Sequence, residues 1–84
     1  MVNFRNDTKS DIDIFINNRE LIGNLCIGDT SSSFKFKKGL YIISLYESES
    51  KNLLFKWYIE IRMTDLQIIC YQIDYKTFVS LQPL

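Results

Sequence analysis

Leu53-Leu54-Phe55-Lys56-Trp57-Tyr58-Ile59-Glu60-Ile61-Arg62 can be read with a period of two or with the helical period. As a strand, Leu53, Phe55, Trp57, Ile59 and Ile61 form one continuous apolar face, opposed by Leu54, Lys56, Tyr58, Glu60 and Arg62. As a helix, the stretch gathers Leu53, Leu54, Trp57, Tyr58 and Ile61 but leaves Phe55 and Ile59 in water. The helix wastes two large side chains, so a strand is expected. Its neighbours agree. Residues 40–46 are apolar on both faces except for Ser44, and residues 66–74 repeat that character after the turn Met63-Thr64-Asp65.

The first half of the chain alternates more openly. Ile12, Ile14 and Ile16 interleave with polar positions and Phe15 in a half-buried strand that ends at Asn17-Asn18, residues that tolerate the left-handed backbone of a tight hairpin. The return runs through Leu21, Gly23, Leu25 and Ile27 to the turn Gly28-Asp29-Thr30. Ser33-Phe34-Lys35-Phe36-Lys37 alternates again and reads as a strand, ended by Lys38-Gly39. Residues 76–81 offer a possible last strand before Pro83. About seven to eight short strands and no long helical period give an all-β fold. The expectation is a single small antiparallel β-sandwich domain spanning 1–84.

Composition bounds the function. The chain has 84 residues, 46% of them hydrophobic and 14% aromatic, enough to fold but too few to leave a wide stability margin. Ten basic and ten acidic residues cancel and are mixed along the chain, which gives no global charge for nucleic acid or an anionic membrane. Histidine is absent, which removes the commonest general base and metal ligand. Ser31, Ser32 and Ser33 therefore have no imidazole to activate them, and Glu47 and Glu49 lie in a polar loop where carboxylates are hard to tune. No enzyme, metal or cofactor is expected. Cys26 and Cys70 are too few for a disulfide framework and read as small buried hydrophobes of a reducing compartment, with a single bridge between distant strands as the alternative. The first residues lack an export signal and no apolar run is long enough to span a bilayer, so a cytoplasmic location is expected. Asn6-Asp7-Thr8 matches a glycosylation sequon, which matters only in a eukaryotic secretory setting.

Two constellations invite chemistry and have plainer explanations. Asp11 and Asp13 share a strand face near Asp7 and could ligate a hard cation, but three carboxylates at an edge also serve as a solvated polar face. Phe34-Lys35-Phe36-Lys37-Lys38 and Lys56-Trp57 interleave rings with lysines as single-strand nucleic-acid binders do. Alternation, however, sends the rings and the lysines to opposite faces.

The strongest signal is surplus hydrophobicity. A two-layer sandwich buries one face of each strand, yet 40–47, 53–62 and 66–75 offer two. An apolar, tyrosine-rich face is expected to remain for a partner, with Tyr46, Leu54, Tyr58 and Tyr71 as its binding residues. A protein partner or a second copy of the chain fits this face, as in a homo-oligomer or an inhibitor-like or accessory subunit of a larger complex. The runner-up is a small barrel that binds single-stranded nucleic acid through Lys35, Lys37, Lys38, Lys56 and Trp57.

Ile12-Asp13-Ile14-Phe15-Ile16, the turn Asn17-Asn18, Leu21-Ile22-Gly23 and Phe36-Lys37-Lys38-Gly39-Leu40-Tyr41-Ile42-Ile43 carry one resemblance. Residues 12–47 resemble the PEGA-type β-sandwich repeat and, more loosely, other immunoglobulin-like modules. The chain departs from that pattern where the family has a glycine in the first turn and Thr-Pro after the hydrophobic-Gly pair, and it lacks the family's eponymous motif. The resemblance implies a surface or interaction module without enzymatic activity.

Overall fold

Two-residue turns set the framework. In the computed structural model, which describes residues 1–84, Asn17 and Asn18 both take left-handed backbone angles, φ 51° and 64°. That pair of conformations matches the twist of the strands flanking a tight hairpin. It joins β2 (Ile12–Ile16) to β3 (Arg19–Leu25). Asp74 and Tyr75 repeat the geometry, φ 48° and 68°, between β6 (Leu66–Ile73) and β7 (Lys76–Pro83). Aspartate tolerates this region, whereas a tyrosine there carries strain of about 1–2 kcal/mol. The other strands are β1 (Val2–Asp7), β4 (Gly39–Glu47) and β5 (Leu53–Ile61).

The seven strands form two sheets, in the orders β3-β2-β4-β5 and β1-β6-β7, with no helix. Every pairing is antiparallel except β1 with β6, which is parallel. Period-two patterning places the core. Ile12, Ile14 and Ile16 of β2, Ile43 and Leu45 of β4, and Ile59 and Ile61 of β5 face Val2 and Phe4 of β1 and Leu66, Ile68 and Cys70 of β6. The expected small β-sandwich is what the chain forms.

Three details differ from the sequence reading. The β1–β6 pair is parallel, where an antiparallel sandwich is expected, because a long crossover through the strands of the other sheet separates β1 from β6. Residues 33–37 are not a strand of either sheet; they end a long connection that runs beside β1 and touches it through the bridges Val2–Phe34 and Arg5–Thr30. The alternation is real, because Phe34 and Phe36 both pack edge-to-face on Phe4, at 6.1 and 6.4 Å between ring centroids. Conversely, residues 2–7 are a full strand. Their alternation is interrupted at the inward position of Asn6, a fully buried amide.

Candidate functional site

The three aspartates do not converge. Asp7 pairs with Arg5 at 2.7 Å, and Asp11 accepts the Ile27 N–H at 3.0 Å. Asp13 is buried and accepts from Asn24 N–H (2.8 Å), Ser48 Oγ (2.7 Å) and Lys51 Nζ (2.9 Å). Burial alone raises the Asp13 pKa, but the bonds from Lys51, Asn24 and Ser48 outweigh it and hold the carboxyl below its ordinary value. Asp13 thus ties the β4–β5 turn to β2. No group of three or more His, Cys, Asp or Glu side chains comes together at metal-binding range.

The cysteines are free, and only Cys70 is the buried hydrophobe expected. Burial first, then the Asp7 charge, pushes its thiol up to about 12, which makes it inert. Cys26 lies just past the end of β3, where Leu25 takes the inward position, so Cys26 is exposed. The sequon is closed as well. Asn6 Nδ2 donates to the carbonyls of Ser10 (2.8 Å) and Leu25 (2.9 Å), while its Oδ1 accepts from Thr8 N–H and Oγ1. A glycan has no access to that nitrogen in the folded chain. Phe34 and Phe36, packed on the core, offer no stacking platform beside the exposed Lys35, Lys37 and Lys38.

The four expected binding residues separate. Tyr46 lies on the outer face of the larger sheet, half-buried and edge-to-face with Phe15 at 5.0 Å. Tyr58 lies on the same face beside Ile42, and is 56% exposed. Leu54 falls at an irregularity between the pairs Leu45–Phe55 and Tyr46–Leu53, and packs against the core instead. Tyr71 belongs to the other sheet, stacked on Phe78 at 5.8 Å with Ile73 exposed nearby. The sequence reading grouped these residues on one face because 40–75 alternates continuously. The chain changes sheets between β5 and β6, a step that local patterning does not record.

Trp57, expected on the core face and otherwise named only for the nucleic-acid alternative, is absent from the four expected interface residues. Its register partner Ile43 is fully buried, so Trp57 belongs to the inward row, yet it is 67% exposed. It sits on the terminal strand of the four-stranded sheet, where β7 of the other sheet approaches β5 without burying the ring. Its ring meets Tyr58 edge-to-face at 6.2 Å, so both faces of β5 carry an exposed aromatic at its middle.

The sheet edges are treated unequally. On β1, the connecting segment supplies Phe34 N–H to Val2 O (2.7 Å) and accepts Val2 N–H (2.8 Å), and further bonds join Ser31, Asp29 and Gly28 to Phe4 and Asn6. β3 has two register shifts, a left-handed Asn24 (φ 55°) and the charges of Arg19 and Glu20. β7 presents Lys76 and ends at Pro83. Irregularity, charge and proline all discourage strand addition. β5 has backbone bonds to β4 alone, and its stretch 55–61 is regular throughout. Compared with protein-family models, curated proteins and solved structures, the chain matches none.

Proposed function

We propose that the protein is a non-catalytic binding module that engages a protein chain, a partner or its own copy, through the open edge and adjoining faces of β5. The observation that carries this reading is the pair Trp57 and Tyr58, exposed on opposite sides of a long regular strand with no partner along its outer edge. An open edge supplies a row of backbone donors and acceptors, and large aromatics beside it supply contact area at small entropic cost. Leu40 and Ile42 of β4 extend the apolar surface beside Tyr58 and Glu60, while Tyr46 with Phe15 continues it toward β2. Two unbridged thiols fit a role in the reducing cytoplasm.

The test compares three baits in the native host: the wild-type chain, Tyr58→Asp and Tyr71→Asp. The expected result is a partner held by the wild type and Tyr71→Asp but lost by Tyr58→Asp. Equal retention by all three overturns the assignment to β5.

A further inference from the structure

The β5 edge is self-complementary in one register, and we infer that its occupant is a second copy of this chain, joined strand to strand about a two-fold axis at Tyr58. The inference rests on β5 being the binding edge and names what binds it. Two copies that extend one sheet across a two-fold axis pair antiparallel and keep the outer face outward. Residues opposite one another must then lie on the same face, so the axis passes through a residue of β5 rather than between two. That leaves few registers.

With the axis at Tyr58, Lys56 stands opposite Glu60 of the second copy, and Glu60 opposite Lys56 of the second copy. Both are exposed and on the outer row, where they pair in register with Ser44 and Leu40 of β4. On the inner row, Trp57 stands opposite Ile59 of the second copy and Phe55 opposite its Ile61. This covers a ring that is 67% exposed in the single chain. Tyr58 meets Tyr58. The pairing spans 55–61, the stretch free of irregularity. Neighbouring registers lose this match. An axis at Lys56 sets lysine against lysine. An axis at Ile59 sets Lys56 against Arg62. An axis at Trp57 sets Glu60 against Leu54 and draws in the irregular part of the strand. Directly opposed unlike charges stabilise a strand pair, and like charges destabilise it. Glu60 already holds Arg62 of its own chain at 2.6 Å through one oxygen, Oε1, which leaves Oε2 for the lysine.

Sedimentation equilibrium at low ionic strength, from micromolar to millimolar protein, reads the result. The wild type is expected to dimerise reversibly. Lys56→Glu and Glu60→Lys each place like charges opposite one another twice per dimer, and each is expected to weaken self-association about tenfold or more. Mixed in equal amounts, the two variants are expected to form a heterodimer, since both cross-strand pairs are then unlike. The double variant Lys56→Glu/Glu60→Lys is expected to dimerise again. Recovery on mixing also establishes that both variants are folded. A wild type that stays monomeric overturns the second copy as occupant, while the Tyr58→Asp capture result decides the binding role of the edge independently. A dimer indifferent to either reversal, or one that mixing and the double exchange fail to restore, overturns the register and with it the inference.

Discussion

β1 and β5 are both terminal strands, and the molecule treats them in opposite ways. β1 is filled by its own chain: residues 28–34 lie along it and exchange backbone bonds with Val2, Phe4 and Asn6. The aromatic pair behind them, Phe34 and Phe36, seals the core over Phe4. β5 has no such cover, and its exposed Trp57 and Tyr58 flank an unpaired backbone. A fold that lays a long connection on one edge, roughens β3 and caps β7 with proline leaves β5 as the edge with a long regular strand and no backbone cover. The contrast is what the proposed binding role of β5 rests on.

The comparison breaks first if the cover of β1 is dispensable. Phe34→Ala removes a half-buried ring from Phe4 and loosens the adjoining backbone pairing. It is expected to cost about 2 kcal/mol in urea unfolding, less than the ~3–5 kcal/mol of a fully buried phenylalanine. An unchanged midpoint removes the structural reason for segment 28–34.

An open edge templates a partner only if it is held firm, and Asp13 holds the turn that leads into β5. Asp13→Asn is expected to cost about 1–2 kcal/mol at neutral pH, since the Lys51 arm is exposed and weak while the buried bonds to Asn24 and Ser48 carry more. The folded state lowers the Asp13 pKa, so it favours the ionised form. The resulting stability is fully present above the ordinary value of 3.8 and is lost as pH falls through the lower folded value. The gap between wild type and Asp13→Asn is therefore expected to stay constant near neutrality and to close on acidification below that value.

Smaller effects sharpen the contrast. Gly28 donates its N–H to Asn6 O at 2.7 Å from a left-handed backbone, φ 82°, with open space around a side chain built there. Gly28→Ala is expected to cost about 1 kcal/mol through backbone strain alone, and Gly28→Asn less. Trp57→Ala, on the bare edge, is expected to change monomer stability by less than about 0.5 kcal/mol while weakening association. Stability lost at the covered edge and association lost at the open one is the pattern that separates the two.

Much of the fold was legible because inward rows obey period two: Ile12-Ile14-Ile16 and Ile59-Ile61 name their own faces. Asn17-Asn18 named its hairpin through the conformations that asparagine tolerates. β1 was hidden because Asn6 occupies an inward position, where the buried amide bonds Ser10 and Leu25 instead of packing. Residues 33–37 looked like a strand because a segment that covers an edge must also send alternate rings inward. Of the four expected interface residues, the outer placement of Tyr58 could be read from its alternation with Trp57, whereas separating Tyr71 from Tyr46 requires knowing where the chain changes sheets. Trp57 was assigned to the core by a sound pattern. Its exposure is set by how the two sheets sit together where β7 approaches β5, which no local pattern records.

The most direct test of the account is amide hydrogen exchange of the wild-type chain measured at rising protein concentration. In β1, the Val2, Phe4 and Asn6 amides are held by residues 28–34 and are predicted to be protected equally at every concentration. In β5, alternate amides between Phe55 and Ile61 are predicted to exchange freely when dilute and to gain protection as concentration rises. Exchange in β5 that stays the same from dilute to concentrated solution would contradict it.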